Sequence, residues 1–282
     1  MNDGTLYVVA TPIGNLADIS QRAAEILASV NLIAAEDTRV TSRLLQHLGI
    51  SGRMLSLHEH NELKRSEQLL IHLGEGEDIA LVSDAGTPLI SDPGYPLVRR
   101  VREAGIRVVP VPGPSAIISA LSVAGLPTDR FVFEGFLPGK AASRRARLEQ
   151  LQAETRTLVF YESPHRVLVC IEDMQACFGE DRQAVVAREL TKTFETIRNG
   201  SIAELLEWMQ QDSNQQRGEF VLLVAGADEI ENPGQLDEKH VLQVLLEDLP
   251  VKQAAALAAR ICDGKRNHFY QLALAMKSSM PT

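Results

Sequence analysis

Alternating strand-like and helix-like segments through the first 115 residues predict an α/β fold with a largely parallel sheet. Three observations carry this. Short apolar runs at 6–10, 31–35, 79–82 and 107–111 have the length and composition of buried strands. Stretches of helical periodicity lie between them. The runs stop in polar loops, most of them rich in Gly and Pro, where open α/β sheets bind ligands outside the carboxyl ends of their strands.

The first strand, 6–10, exits through Thr11-Pro12-Ile13-Gly14-Asn15. A helix follows over 20–30, with Asp18 or Ser20 able to cap it. The strand at 31–35 ends in Glu36-Asp37-Thr38-Arg39, and a helix over 41–48 is stopped by Gly49. A helix over 64–73 precedes the strand at 79–82. That strand runs into Ser83-Asp84-Ala85-Gly86-Thr87-Pro88-Leu89-Ile90-Ser91-Asp92-Pro93-Gly94. Two Gly-Pro turn clusters beside Asp residues make this loop a candidate site, since glycine lets backbone approach a ligand and proline stiffens the path. A helix over 97–104 ends at Gly105, and the strand at 107–111 leads into Pro112-Gly113-Pro114-Ser115.

A helix over 115–123 is expected to link to a second α/β domain. Its strands are expected at 130–133, 157–161, 183–187 and 219–225, and its helices at 143–153, 164–178 and 201–210. The final connections permit antiparallel pairs. After Gly226 the composition shifts. Residues 228–250 hold seven carboxylates against Lys239, and Asn232-Pro233-Gly234 reads as a linker. Residues 251–282 hold five Lys or Arg against Asp263 and read as helix, Asp263-Gly264 turn, helix. This unit is either helix-turn-helix-like or a packing hairpin. The expected organisation is therefore 1–114, 115–227 and 228–282, the last an acidic linker with a basic helical unit.

Composition bounds the function. The 282 residues are 45% apolar and 23% charged, and the net charge of −9 gives no global case for nucleic acid or acidic membrane. A local basic face can still bind RNA. Cys170, Cys177 and Cys262 are too scattered for a disulfide framework or a zinc site. No signal peptide or membrane span is expected, and the protein is expected to be cytoplasmic. The strand–GxGxxG–helix fingerprint, the GxxxxGK[ST] loop and the GxSxG elbow are missing, which removes several common enzyme classes. A pocket lined by backbone and small polar groups suits a neutral or zwitterionic cofactor better than a triphosphate.

Taken together, seven segments resemble one family. They are Ala10-Thr11-Pro12-Ile13-Gly14-Asn15-Leu16, Ala34-Ala35-Glu36-Asp37-Thr38-Arg39, Val82-Ser83-Asp84-Ala85-Gly86-Thr87-Pro88, Ser91-Asp92-Pro93-Gly94, Val111-Pro112-Gly113-Pro114-Ser115-Ala116, Phe133-Glu134-Gly135-Phe136-Leu137-Pro138 and Phe160-Tyr161-Glu162-Ser163-Pro164-His165-Arg166. The family is that of the RsmI small-subunit (16S) ribosomal RNA (cytidine-2′-O-)-methyltransferases, within the tetrapyrrole methylase superfamily. The resemblance covers roughly residues 4–226. It implies two α/β domains with S-adenosylmethionine (SAM) in the cleft between them. It implies a homodimer that methylates a cytidine ribose in the decoding region, on ribosomal RNA or the assembled small subunit.

Carried over from the superfamily, Pro12 ends the first strand beside the cofactor. Ser83, Asp84, Ala85, Gly86, Thr87 and Ile90 would hold its amino-acid and ribose portions. Ser115 and Ala116 belong to the next wall, and Glu162 sits where the second domain closes. The chain has Asp-Ala-Gly-Thr-Pro where tetrapyrrole methylases usually have Gly-Asp-Pro, which argues against a porphyrin substrate. A SAM-dependent methyltransferase of a tetrapyrrole or other small molecule is the alternative. A SAM-binding or RNA-binding module without catalysis is the third reading.

A ribose hydroxyl is a poor nucleophile while protonated, so a proton acceptor is needed. Glu36, Asp37, His58, Glu59, His60, Glu162, His165 and Glu189 qualify by type as acid–base groups, and Arg39 and Arg188 as anion partners. Asp37, Glu162 and His165 are the favoured acid–base candidates, with Arg39 as a phosphate clamp because Arg can grip phosphate bidentately. His58-Glu59-His60 lacks a further ligand at metal spacing, so no metal is expected. Lys140, Arg144, Arg145 and Arg147, with Lys265 and Arg266 of the tail, are the candidate RNA face. Phe136, Tyr161, Phe269 and Tyr270 are the candidates for stacking on bases.

Overall fold

The computed structural model describes residues 3–228, 238–262 and 264–278. The chain divides into two compact units, Met1–Ala227 and Asp228–Thr282.

The first unit holds two five-stranded sheets. β1 (Thr5–Val9), β2 (Leu32–Ala35), β3 (Met54–Ser56), β4 (Ile79–Val82) and β5 (Arg107–Val111) form one, in the order β3-β2-β4-β1-β5. All its pairings are parallel. Every residue of β2 and β4 is buried, as parallel strands covered on both faces require. The helices between the strands are α1 (Gln21–Ser29), α2 (Thr38–Leu48), α3 (Glu62–Gly74) and α4 (Tyr95–Glu103). The Ser20 hydroxyl accepts from Ala23 N and caps α1. Gly49, at φ 68°, ends α2 in the left-handed conformation that glycine adopts without penalty. Because the strands are parallel, the loops after β1, β2, β4 and β5 all emerge at one rim.

α5 (Ala116–Ala124) leads to the second sheet, ordered β6-β7-β10-β8-β9. Its strands are β6 (Phe131–Phe136), β7 (Thr157–Glu162), β8 (Gln183–Arg188), β9 (Thr196–Ser201) and β10 (Phe220–Val224). β6 and β7 are parallel, and the other three pairings are antiparallel. α6 (Ala141–Gln150), α7 (Val167–Phe178) and α8 (Ile202–Gln211) complete the layer. Ser201 and Glu204 form a reciprocal capping box at the start of α8. One core cluster ties the sheets together: Ile13 from the loop after β1 packs with Ile117 and Leu121 of α5 and with Val159, Val185 and Val221 of the second sheet.

Two strands escaped the sequence reading. β3 has three residues, and β9 is a polar edge strand that pairs along its whole length with β8. Neither carries the apolar run by which a strand is recognised.

The second unit contains α9 (Glu238–Asp248), α10 (Val251–Ile261) and α11 (Arg266–Ser278). Its core sets Leu242 and Phe269 against Ala254, Ala255 and Ala258. The acidic linker expected over 228–250 is corrected here, since α9 occupies much of it. Its carboxylates hid a helical apolar pattern at Val241, Leu242, Leu245, Leu246 and Leu249. The expected Asn232-Pro233-Gly234 linker and Asp263 of the turn lie outside the described residues. Among the described residues, no helix is long and apolar enough to cross a membrane.

Candidate functional site

The loops at the carboxyl rim of the first sheet are knitted to one another by hydrogen bonds. Thr11 and Gly86 exchange both backbone hydrogen bonds, at 2.9 and 3.0 Å, which joins the loops after β1 and β4. Thr11 Oγ1 donates to Ser83 O at 3.2 Å, and Thr87 Oγ1 donates to Pro114 O at 3.1 Å. Glu36 Oε2 accepts from Asp84 N at 3.2 Å, and Asp84 Oδ1 accepts from Asp37 N at 3.0 Å. Four loops are thus held as one wall.

Backbone geometry in that wall is unusual. Leu89 (φ 73°) and Ser91 (φ 67°) are left-handed without being glycine, a cost that surrounding structure must impose. Gly86, at φ 82°, would bring a Cβ to 3.4 Å from Ile13 Cγ2. Gly94 N donates to the Glu62 carboxylate at the start of α3, which pins the far end of the loop.

Between this wall and the second sheet lies a cavity of about 340 Å³. Asp84, Ala85, Gly86, Thr87 and Ile90 line it on one side, as do Ser115 and Ala116 at the start of α5. Glu162, at the end of β7, lines it from the other sheet. Pro12 and Ser83 do not reach this cavity. Both are buried and line a neighbouring cavity of about 230 Å³, with Asp84 common to the two.

Sequence reasoning omitted several lining residues from the site. Asp92 enters through the left-handed turn at Ser91. Ile13, Leu190, Phe220 and Val221 supply apolar surface; Glu36, which the sequence did offer as an acid–base candidate, joins from the end of β2. Phe136 and Tyr161 flank the mouth, their ring centroids 5.6 Å apart, with Phe136 55% exposed. The Ser91-Asp92 motif was the available signal for Asp92. The apolar residues gave none, because they look like any core positions.

The four residues expected to act on the reacting groups fare differently. Asp37 caps α2 and grips Arg39, whose Nε lies 3.0 Å from Oδ1. That hydrogen bond holds the Asp37 carboxyl at a pKa of about 2, which makes it a weak proton acceptor. Arg39 stands exposed at the rim, outside the cavity lining. His165 is exposed in the turn between β7 and α7, also outside the lining. Glu162 does line the cavity, with its side chain fully buried. Its Oε1 accepts from Ser163 N at 2.8 Å, while Oε2 has no hydrogen-bond partner. Arg166 Nη2 sits 3.3 Å from that oxygen.

Other candidates have structural duties. Arg188 is buried and donates to Arg217 O, and Glu189 is paired with Lys192. His58, Glu59 and His60 do not line the cavity.

The expected basic face is only partly present. Arg144 is 5% exposed, and its Nε and Nη2 both lie 2.6 Å from Asp173 Oδ2. It is a buried ion-pair member, unavailable to phosphate, and that corrects the expectation for this residue. Arg145 reaches the other oxygen of Asp173 at 2.5 Å but is exposed. Arg147 grips Glu134 with two hydrogen bonds. Lys140, Lys265 and Arg266 are exposed. Phe269, expected to stack on bases, is instead fully buried in the core of the helical unit.

The family model for tetrapyrrole (corrin/porphyrin) methylases matches residues 5–206, and that for the RsmI C-terminal HTH domain matches residues 232–277. A protein of Escherichia coli O157:H7 named ribosomal RNA small subunit methyltransferase I is 58% identical over 273 residues, covering 97% of this chain and 96% of that one. The protein of the same name from Pseudomonas aeruginosa is 59% identical over 276 residues, covering 97% and 98%. Among solved structures, the methyltransferase CobJ aligns with a TM-score of 0.59 at 19% identity, over 79% of this chain and 95% of that one. Uroporphyrin-III-C-methyltransferase from Thermus thermophilus aligns at 0.56 and 19% identity, over 79% and 94%. These two likenesses bear on the fold alone.

Proposed function

The chain belongs to the tetrapyrrole methylase family, and we propose that it methylates small-subunit ribosomal RNA with SAM as donor. The relatives that share more than half of its residues over nearly its full length are named for methylation of small-subunit ribosomal RNA, and this observation carries the reading. We further propose that the acceptor is the 2′-hydroxyl of a cytidine in the decoding region and that the working form is a cytoplasmic homodimer. The small-molecule alternative draws on the name of the family model and on fold-level likeness below 25% identity, whereas the near full-length relatives are named for ribosomal RNA.

The cavity fits the cofactor. Its wall offers the loop Asp84–Thr87, the start of α5 and an apolar floor. Ala85, Gly86 and Thr87 would hold the amino-acid and ribose portions, with Ile13, Leu190 and Val221 against the apolar surface. When bound, SAM supplies a methyl group on a sulfonium whose leaving group is a neutral thioether.

The protein then contributes alignment, exclusion of water and a proton acceptor. Rigid positioning of the two reactants can supply on the order of 7–11 kcal/mol in favourable cases. Of the three favoured acid–base candidates, Glu162 alone lines the cavity, and its Oε2, which makes no hydrogen bond, is the oxygen we assign to take the hydroxyl proton. Arg166, beside that carboxylate, orients it. Phe136, exposed at the mouth beside Tyr161, is suited to stack on an unpaired base.

RNA would be held by Lys140, Arg145, Lys265 and Arg266, which are exposed. Replacing Lys140, Lys265 and Arg266 with Ala is expected to weaken binding to small-subunit RNA and to reduce the salt dependence by about one unit of slope for each lost phosphate contact, with SAM affinity unchanged. A filter-binding titration over a range of salt checks this, and an unchanged slope would remove these residues from the interface. The reading as a whole is tested by transfer of labelled methyl from SAM to unmodified small subunits, with the ribose as the site scored.

A further inference from the structure

Three carboxylates share one wall of the cavity: Glu36 after β2, Asp84 after β4, and Asp92 farther along the same loop. Among the described residues, no Lys, Arg or His lines the cavity. The other two lining carboxylates have cations beside them, Glu162 with Arg166 at 3.3 Å and Glu219 with Lys192 at 2.9 Å. Glu36, Asp84 and Asp92 have no ion pair among the described residues. The cation acting on Asp84 is Arg39, itself committed to Asp37.

Such an arrangement is costly without a counter-charge. Burial raises the pKa of all three groups, Asp92 to about 6, and repulsion from Glu36 and Asp84 adds to the shift at Asp92. Ser83 opposes that shift through a hydrogen bond to Asp92. From the second sheet Tyr161 faces Asp92, and its own pKa is pushed up to about 12, first by burial and then by that charge.

The three groups do not form a metal cage. Among the described residues, the one set whose ligand atoms converge closely enough is His72, Glu75 and Glu77 on and after α3, away from the cavity. Spread carboxylates suit a larger organic cation. Glu162 lines the same cavity from the second sheet, with its carboxylate fully buried, Arg166 3.3 Å from Oε2 and no hydrogen bond made by that oxygen.

We propose that Glu36, Asp84 and Asp92 make the cavity charge-selective, so that it holds the sulfonium cation of SAM and releases neutral S-adenosylhomocysteine. This rests on the cofactor reading above. Transfer forms an O–CH₃ bond and breaks the S–CH₃ bond, whose electron pair stays on sulfur, while the hydroxyl proton passes to the acceptor. The ligand loses one positive charge, and the three carboxylates lose their counter-ion. Product release is then driven by the repulsion that the cation had relieved.

The test is calorimetric binding to the full-length protein, using SAM, sinefungin and S-adenosylhomocysteine. Sinefungin keeps a positive charge where SAM has its sulfonium. At neutral pH the two cations are expected to bind at least about tenfold more tightly than the neutral product, a gap of roughly 1.4 kcal/mol. The gap is expected to close as the pH falls through about 6, because a protonated Asp92 no longer faces the cation with a charge. Asp92→Asn is expected to weaken both cations, leave the neutral product unchanged and flatten the pH dependence. Equal or tighter binding of S-adenosylhomocysteine by the wild type would overturn the proposal with no variant needed. So would an Asp92→Asn protein that weakens all three ligands alike. Binding of all three without preference overturns only the charge selectivity, whereas binding of none overturns the cofactor reading with it.

Discussion

Asp173→Ala is expected to cost about 3–5 kcal/mol of stability, the range for breaking a buried pair by removing one partner. Asp173 on α7 is the shared anion for two arginines of α6. Arg144 and Asp173 are both almost fully buried, at 6% and 4% side-chain exposure. Without the carboxylate, the buried Arg144 guanidinium keeps only the Gly139 carbonyl to accept from it. Urea unfolding followed by circular dichroism measures the loss. The cause is separable from volume, because Arg144→Met combined with Asp173→Leu removes both charges and is expected to recover most of the stability. If Asp173→Ala were as stable as the wild type, Arg144 would not be the buried pair member described here, and its place in the RNA face would reopen.

Glu162→Gln is expected to lower kcat for methyl transfer by about 10²–10⁴-fold, the usual contribution of a positioned proton acceptor. The amide keeps an oxygen for the Ser163 backbone N–H, so the local fold and SAM affinity are expected to hold. It cannot take the hydroxyl proton, and KM for RNA should change little because Glu162 faces the cavity rather than the RNA-binding surface. Glu162→Asp, which retains a carboxylate at shorter reach, should retain part of the rate. Single-turnover measurement with saturating RNA separates the chemical step from release. Activity within about threefold of wild type in Glu162→Gln would transfer the role to another group in the cavity, with Asp92 next in line.

Much of the fold was legible because most of its strands are apolar runs, fully buried in β2, β4 and β10. β4 and β5 occupy the spans that the apolar runs at 79–82 and 107–111 predict. Ser20 and Gly49 cap the helices they were expected to bound. What escaped was whatever lacked apolar contrast. β9 is a strand because β8 offers it an edge, and α9 hides its apolar stripe among carboxylates.

The site was legible as loops and less so as side chains. The loop at 83–94 bounds the cavity because it follows a central strand of a parallel sheet. Which polar groups turn inward depends on contacts far apart in sequence. Asp37 is turned outward by Arg39, whereas Asp92 is carried inward by left-handed backbone at Leu89 and Ser91. Arg144 reads as a surface cation from its helix, and only the distant Asp173 makes it a core residue.

Methyl transfer to ribose on small-subunit RNA is the reaction we assign to this cavity. It is tested most directly by incubating the purified protein with methyl-labelled SAM and small ribosomal subunits from cells lacking the modification. The RNA is then digested, and its nucleosides are identified by mass spectrometry. Label in 2′-O-methylcytidine is the predicted result. Folded, SAM-binding protein that leaves every ribose unlabelled would contradict it.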